Sequence, residues 1–413
     1  MSFAREDKAL SKTILVLGAS YSQIPLFQAA KRLGVRSIAA TIPGPYAGIP
    51  YADEVVYCDI TKPEEVLQAV KDLSIDAVTT CCMDVGTRTM GYLCKMLSLP
   101  GPGIGAEAAC DKSLQKQLYE EAGIRTAPYF LIRSVEDLQR AGRKIGYPLM
   151  LKAVDLMGSR GVFRADSEEE ALSWYPLVME QTRKDYCIAE KFLAGTMFGV
   201  EAMMSRGSLA YVLPLGNDLH AGNPPFPQGH HVPWERADAL YEKICDVTQR
   251  VCKALAYDNC ALDMDCMLQD GEIWMIESTP RAGATAITDM VGLYYGIDYF
   301  EAIVRSALGE DVSDLFRAKS GLANASWLIG ADRTGILEEI VLPEHLSENV
   351  VDLSFNVKSG DEVRKFSSGR DRIGQMIVKG NSAGDCLEEI RTILQNTEIK
   401  VREYAGIGGN TLL

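Results

Sequence analysis

The segment from Asn259 to Ser278 restricts the fold of this chain more than any other. It reads as a strand, a tight turn at Gln269-Asp270-Gly271-Glu272 and a second strand. Asp265 and Glu277 stand on its two arms. In an antiparallel pair they face each other only if the connection has an odd count or one arm carries a bulge. A three-residue loop, Asp270-Gly271-Glu272, satisfies this and pairs 267 with 275 and 263 with 279. One face of the ribbon then carries Asp263, Asp265, Glu277 and Thr279, all oxygen donors. Carboxylates so close repel unless a cation lies between them, and hard oxygen donors select Mg2+, with Mn2+ as its substitute. The apolar neighbours Leu262, Met264, Leu268, Ile273, Met275 and Ile276 predict a buried ribbon rather than a solvated one. Arg281, just past Pro280, is placed to meet a transferred phosphoryl group.

Upstream, strands alternate with helices. Thr13-Ile14-Leu15-Val16-Leu17-Gly18 reads as a buried parallel strand, Ile24 to Leu33 as a helix closed by Gly34, and Ser37 to Ala40 as a second strand. Val55 to Tyr57, Pro63 to Leu73 and Ala77 to Thr80 continue as strand, helix and strand. This predicts a doubly wound α/β domain over 1–110. A dinucleotide fingerprint would need GxGxxG at the first turn and an acid closing the second strand. The turn is Gly18-Ala19-Ser20-Tyr21-Ser22-Gln23 and the second strand runs into Thr41-Ile42-Pro43-Gly44, which excludes that reading. Ser20, in the turn, and Asp84 and Arg88, after the fourth strand, are candidates to face a ligand crevice.

Asp111 is the expected N-cap of a helix from Lys112 to Ala122. A small α+β unit follows: a strand from Pro148 to Lys152, the loop Met157-Gly158-Ser159-Arg160-Gly161-Val162, and a helix near 167–175. A glycine loop with free backbone donors beside a strand-borne ammonium can grip triphosphate oxygens, and Lys112 could add a second positive charge. By itself the same pattern also fits a surface lysine beside a hairpin. Strands at 186–190 and 196–204 precede a Pro-rich loop, Pro224 to Pro233, and an amphipathic helix from Val232 to Ala256. That loop holds His230 and His231, two of only four histidines, readable as substrate contacts or as structural residues. The tail from 321 to 413, with strands at 352–357 and 373–378 and a helix at 385–394, reads as a small closing α+β subdomain, rich in β-structure.

Composition sets outer limits. With 413 residues, 47% hydrophobic and 24% charged, the chain is ordinary globular protein of several domains. A net charge of −14 opposes nucleic acid as a general partner. No run is long and apolar enough for a membrane span, and the charged start Met-Ser-Phe-Ala-Arg-Glu-Asp-Lys lacks the core of a signal peptide. Eleven cysteines without a CxxC pair fit reduced, mostly buried thiols. A cytoplasmic protein without a membrane partner is expected, with a homodimer as the default assembly.

Lys112, the Pro148–Lys152 strand, Gly158 to Val162, Ile188 to Leu193, Asp265 and Glu277-Ser278-Thr279-Pro280-Arg281 together resemble the ATP-grasp superfamily. Closest are its carboxylate–amine ligases, including glycinamide ribonucleotide synthetases and transformylases and bacilysin-type amino-acid ligases. The resemblance implies an ATP-grasp domain over 111–320 with a lid at about 125–195. It implies that Lys112 and Lys152 contact ATP phosphates and that Ser159, Arg160, Gly161 and Val162 form a mobile loop over them. Glu190 would accept from the adenine amino group, with Lys191, Phe192 and Leu193 around the base. Asp265 and Glu277, with Thr279 beside them, would hold magnesium, and Arg281 would steady an acyl phosphate. A Gly-His segment like Gly229-His230 borders the acceptor pocket in the amino-acid ligases. Two positions depart from the pattern. Met197 stands where a Gly-x-Glu carboxylate usually meets the ribose hydroxyls, and Thr279 where Asn is common. The implied activity is ATP-dependent joining of a small-molecule carboxylate and an amine through an acyl phosphate. Its rivals are a purine-pathway or biotin-carboxylase-like activity and an ATP-binding module without turnover.

Overall fold

The computed structural model describes residues 12–223, 225–317 and 321–403. The N-terminal octapeptide, Pro224 and the end of the tail lie outside the described residues, as do residues 318–320 beside the expected boundary at 320.

The first unit is a parallel sheet with strand order Glu54–Tyr57, Arg36–Thr41, Thr13–Leu17, Ala77–Thr79. Its central strand is apolar from Ile14 to Leu17 because both faces are covered: Leu15 and Leu17 meet one layer, Ile14 and Val16 the other. The chain order reverses between Thr13–Leu17 and Ala77–Thr79. Doubly wound sheets open a crevice at such a point, beyond the carboxyl ends of the strands, and Asp84 follows one of those ends.

A four-stranded antiparallel sheet comes next, in the order Tyr129–Ile132, Cys187–Lys191, Leu149–Ala153, Val162–Ala165. Helices Val135–Ile145 and Glu168–Gln181 back it. The second helix continues through Pro176, beyond the expected stop near 175, because Ala171 and Val178 pack into the core on either side of it.

The large sheet has eight strands: Glu272–Thr279, Cys260–Gln269, Thr196–Ser205, Ser208–His220, Phe226–Val232, Ala323–Gly330, Arg372–Gly380 and Val350–Phe355. Two expectations are corrected here. The segment read as a Pro-rich loop is largely a strand, Phe226–Val232, and the following helix begins at Ala237, not Val232. Proline hides this strand from a sequence reading, yet Pro227 lies beside a register shift where the ladder is already interrupted. Three strands of the tail extend this same sheet. A three-stranded sheet (Gly335–Val341, Glu362–Val363, Glu398–Arg402) and the helix Ala383–Gln395 complete the C-terminal region. None of the eleven cysteines, all among the described residues, forms a disulfide, and most are buried. No helix among the described residues is long and apolar enough to cross a membrane.

Candidate active site

The acidic ribbon forms by the second of the two routes open to it. Its turn has two residues, Asp270 and Gly271, both with positive φ (54° and 75°), so Gln269 pairs with Glu272 and Met267 with Trp274. The expected pairing of 267 with 275 is therefore wrong. A bulge between Asp265 and Cys266 on one arm, with Ile276 as the extra residue on the other, then restores Asp265 opposite Glu277 and Asp263 opposite Thr279. The bulge decides the chemistry. Ile273, Met275 and Ser278 turn to the core, while Glu277 and Thr279 turn to the crevice with Asp263 and Asp265. Were Ile276 paired like an ordinary strand residue, strict alternation would drive Glu277 inward with Met275.

The helix Lys112–Glu121 fixes this arrangement. Asp111 caps it through the Ser113 and Leu114 N–H groups. Gln115 accepts from Ser278 N–H (3.0 Å) and donates to Ser278 C=O (2.6 Å), and Tyr119 Oη donates to Ser278 Oγ (2.7 Å). One turn of the same helix carries Lys112, which lines both cavities, and Lys116, which lies buried behind them and donates to Thr126 Oγ1 (2.7 Å). Lys112 Nζ lies 2.9 Å from Glu277 Oε2 and donates to Leu156 C=O (2.7 Å). Lys116 belongs to none of the motifs legible in the sequence. It is 1% exposed, 2.7 Å from Glu190 Oε2, and Lys152 ion-pairs with the other oxygen of Glu190. Burial would raise the Glu190 carboxyl, but the two ammonium groups overcome it and hold it at about 2. The one signal for Lys116 is its four-residue spacing from Lys112, which puts both on one helix face.

Two cavities meet at this ribbon. One, of about 310 Å³, is lined by Met150, Lys152, Phe192, Leu193, Met267 and Ile276, with Val162, Glu190, Lys191 and Met197 also in its wall. The other, of about 250 Å³, is lined by Asp84, His230, Asp263, Thr279, Arg281 and Thr285. Lys112, Ser159, Asp265 and Glu277 belong to both. Gly158, Ser159 and Gly161 all have positive φ, so the loop above the junction is tightly coiled. Arg160 is turned aside, its Nε donating to Met157 C=O (3.1 Å), and it lines neither cavity. Gly161 also lines neither, although a Cβ there would come within 2.8 Å of Ala153.

Arg281 is held on two sides. Its Nε donates to Asp84 Oδ1 (2.7 Å), Nη2 lies at the same distance from that oxygen, and Nη1 pairs with Asp263. Thr279 Oγ1 also donates to Asp84 Oδ1 (3.2 Å). His230 Nδ1 donates to Asn217 Oδ1 (2.9 Å), and its Nε2 lies 3.1 Å from Thr285 Oγ1. Burial lowers the His230 imidazole to about 4, so it is neutral at ordinary pH. Two candidates are not brought to the site. His231 points to the other side of the strand, against Asp218 (2.8 Å) and Glu235 (3.4 Å), because adjacent strand residues face opposite ways. Ser20 caps a short helix, both its N–H and its hydroxyl going to Gln23 Oε1, and it lines neither cavity.

The Asp265 side chain makes no hydrogen bond or ion pair among the described residues. Burial and the negative Glu277 and Asp263 push its carboxyl well above the usual range. Among the described residues no three His, Cys, Asp or Glu side chains form a ready-made metal cage. Asp263 is committed to Arg281 and Glu277 to Lys112. Magnesium commonly takes only one or two carboxylates and completes its shell with waters and phosphate oxygens, so the unpartnered Asp265 opposite Glu277 fits that ion.

Comparison with known proteins agrees with this geometry. The ATP-grasp domain family matches residues 117–292, and the L-amino acid ligase C-terminal domain 2 family matches 327–402. Alanine–anticapsin ligase of Bacillus subtilis is 23% identical over 82% of this chain and 80% of that protein. The crystal structure of L-amino acid ligase from Bacillus licheniformis, 18% identical, shares the fold with a TM-score of 0.83 over 95% of this chain and 99% of that one. Phosphoribosylglycinamide synthetase from Anaerococcus prevotii is 33% identical over 95% of this chain and 100% of that one, with a TM-score of 0.79. Resemblance at that identity over nearly the whole length, on a scaffold whose ribbon, lysines and glycine loop converge on one junction, makes this chain a member of the ATP-grasp superfamily and a ligase that forms carbon–nitrogen bonds with ATP.

Proposed function

We propose that the more apolar cavity takes ATP, that the polar cavity takes the carboxylate and amine substrates, and that the γ-phosphate lies where the two meet. The shared lining by Lys112, Ser159, Asp265 and Glu277 carries this reading. The base lies against Met150, Phe192, Leu193, Met267 and Ile276. Lys152 meets the phosphates, oriented by the Glu190 carboxylate that it shares with Lys116. Glu190 thus acts first as a counter-ion for the two lysines. Asp265 and Glu277, with Thr279 beside them, would hold Mg2+ or Mn2+, which when bound neutralises phosphate oxygens.

A substrate carboxylate oxygen attacks the γ-phosphorus, the bond to the β-phosphate oxygen breaks, and ADP and an acyl phosphate form. The amine nitrogen then attacks the acyl carbon, and phosphate leaves with the former carboxylate oxygen. The protein contributes position and charge. Lys112, Lys152 and the loop around Ser159 fix the triphosphate, and Arg281 supplies positive charge where the acyl phosphate forms. Closure of the glycine loop keeps water from the acyl phosphate.

The tail matched by the L-amino acid ligase family favours two amino acids as substrates. The 33% identity to a phosphoribosylglycinamide synthetase favours a second reading, in which glycine is joined to a phosphorylated sugar amine. ADP release measured with pairs of L-amino acids, and separately with glycine and 5-phosphoribosylamine, decides between them. No ADP with any carboxylate and amine pair, despite binding of ATP, would leave a nucleotide-binding module.

A further inference from the structure

Behind Arg281 lies a carboxyl group that the proposed mechanism does not use. Glu201, on the strand Thr196–Ser205, is 0% exposed. Its Oε1 accepts from Gly283 N–H at 2.9 Å, and its Oε2 is buried with no partner among the described residues. Arg281, whose positive charge reaches it, is already engaged by Asp84 and Asp263. Its register partner on the neighbouring strand is Asp263, a second acid. An ionised carboxylate in that setting would be a buried, uncompensated charge; a neutral carboxyl keeps its acceptor role toward Gly283 and leaves only an unpaired O–H, a smaller cost.

The group it holds is the loop from Arg281 to Ala286. Arg281, Ala284 and Thr285 line the polar cavity. One side of the loop is pinned by Cys82 N–H donating to Ala282 C=O (3.0 Å), the other by Glu201 on Gly283. The fit is close, because a Cβ on Gly283 would lie 2.4 Å from Glu201 Oε1. Thr285 and Ala286 both have positive φ (59° and 65°). That conformation is unfavourable for both residues, and for a β-branched threonine in particular, so the surroundings must impose it.

We infer that Glu201 is a positioning residue that works as a neutral carboxylic acid, clamping Gly283 so that Arg281 and Thr285 are held in the polar cavity. This rests on the ligase reading above for its catalytic consequence, though not for the clamp. Burial, and next the charge of Asp263, also favour the protonated form.

Glu201→Gln keeps the acceptor for Gly283 N–H without any charge, since its amide oxygen takes the place of Oε1; Glu201→Leu removes it. Two readouts are compared: steady-state ADP release, and amide hydrogen exchange of the 280–287 segment in the full chain. For Glu201→Leu the expectation is a kcat about 100-fold lower, the scale of a misplaced catalytic group, with the KM for ATP unchanged and faster exchange in the segment. Glu201→Gln should restore kcat to within about threefold and restore protection. If the Leu variant does not fold, Gly283→Ala tests the same clamp by pushing a methyl group onto Oε1, with the same kcat loss expected. Equal damage from Gln and Leu would mean an ionised carboxylate is required, and full activity in the Leu or Gly283→Ala variant would mean there is no clamp; either overturns the inference. If the wild type releases no ADP with any substrate pair, the ligase reading fails, while the exchange comparison still decides the role of Glu201.

Discussion

Lys152 and Met197 stand in the same cavity wall and have opposite prospects on mutation. Lys152 is 7% exposed and shares Glu190 with Lys116, so its ammonium is oriented before any nucleotide arrives. Lys152→Ala should lower kcat/KM for ATP by about 100-fold while the chain stays folded, as checked by ADP release and circular dichroism. Wild-type turnover in that variant would remove the phosphate-binding assignment. Met197 offers no acceptor to a sugar hydroxyl. Met197→Glu should lower the KM for ATP by about threefold to tenfold through a charged hydrogen bond, and a raised KM would mean that the ribose lies elsewhere. Residue identity and spacing make Lys112, Lys152, the glycine loop, Asp265 and Glu277 legible in the sequence. Lys116 and Glu201 stay hidden there because their importance lies in burial, and a lysine or glutamate in a sequence reads by default as a solvated surface residue.

The bulged ribbon is the element that turns a strand pair into a site. The sequence limits the options to an odd loop or a bulge, and the Asp270-Gly271 turn selects the bulge because both residues accept positive φ. Inserting one residue between Asp265 and Cys266 should give Ile276 a partner, close the bulge and turn Glu277 to the side of Met275 and the core. A buried carboxylate without its Lys112 partner costs roughly 3–5 kcal/mol, so thermal stability should fall. The rise in melting temperature on adding Mg2+ and ATP should vanish with it. A variant that keeps that rise would show that Glu277 reaches the crevice by another route. The strand Phe226–Val232 illustrates the opposite case: its prolines argue for a loop, and only its neighbours on both sides supply the ladder that makes it a strand.

For the molecule as a whole, buried titratable groups set the acid limit of stability. His230 is held at about 4, below its unfolded value near 6.5, so its neutral form stabilises the native state fully above about pH 6.5 and that contribution is lost as pH falls toward 4. Glu190, held at about 2, behaves likewise in a lower window, its contribution present above about pH 4.3 and lost toward 2. Thermal unfolding followed between pH 7 and 4 should therefore show a decline that His230→Gln flattens. An identical slope in that variant would assign the decline to other groups.

The strand and helix order of the N-terminal unit, the acidic face of the ribbon, the nucleotide-type loop and the family were determined by the sequence alone, because local periodicity and the spacing of charged residues need no partner to be read. Tertiary structure decided which of two adjacent histidines enters the crevice, that Ser20 does not, that Arg281 is shared between Asp84 and Asp263, and that Glu201 stands behind it. Each of these depends on contacts between segments far apart in the chain, whose geometry is set by packing and burial rather than by the residues on either side.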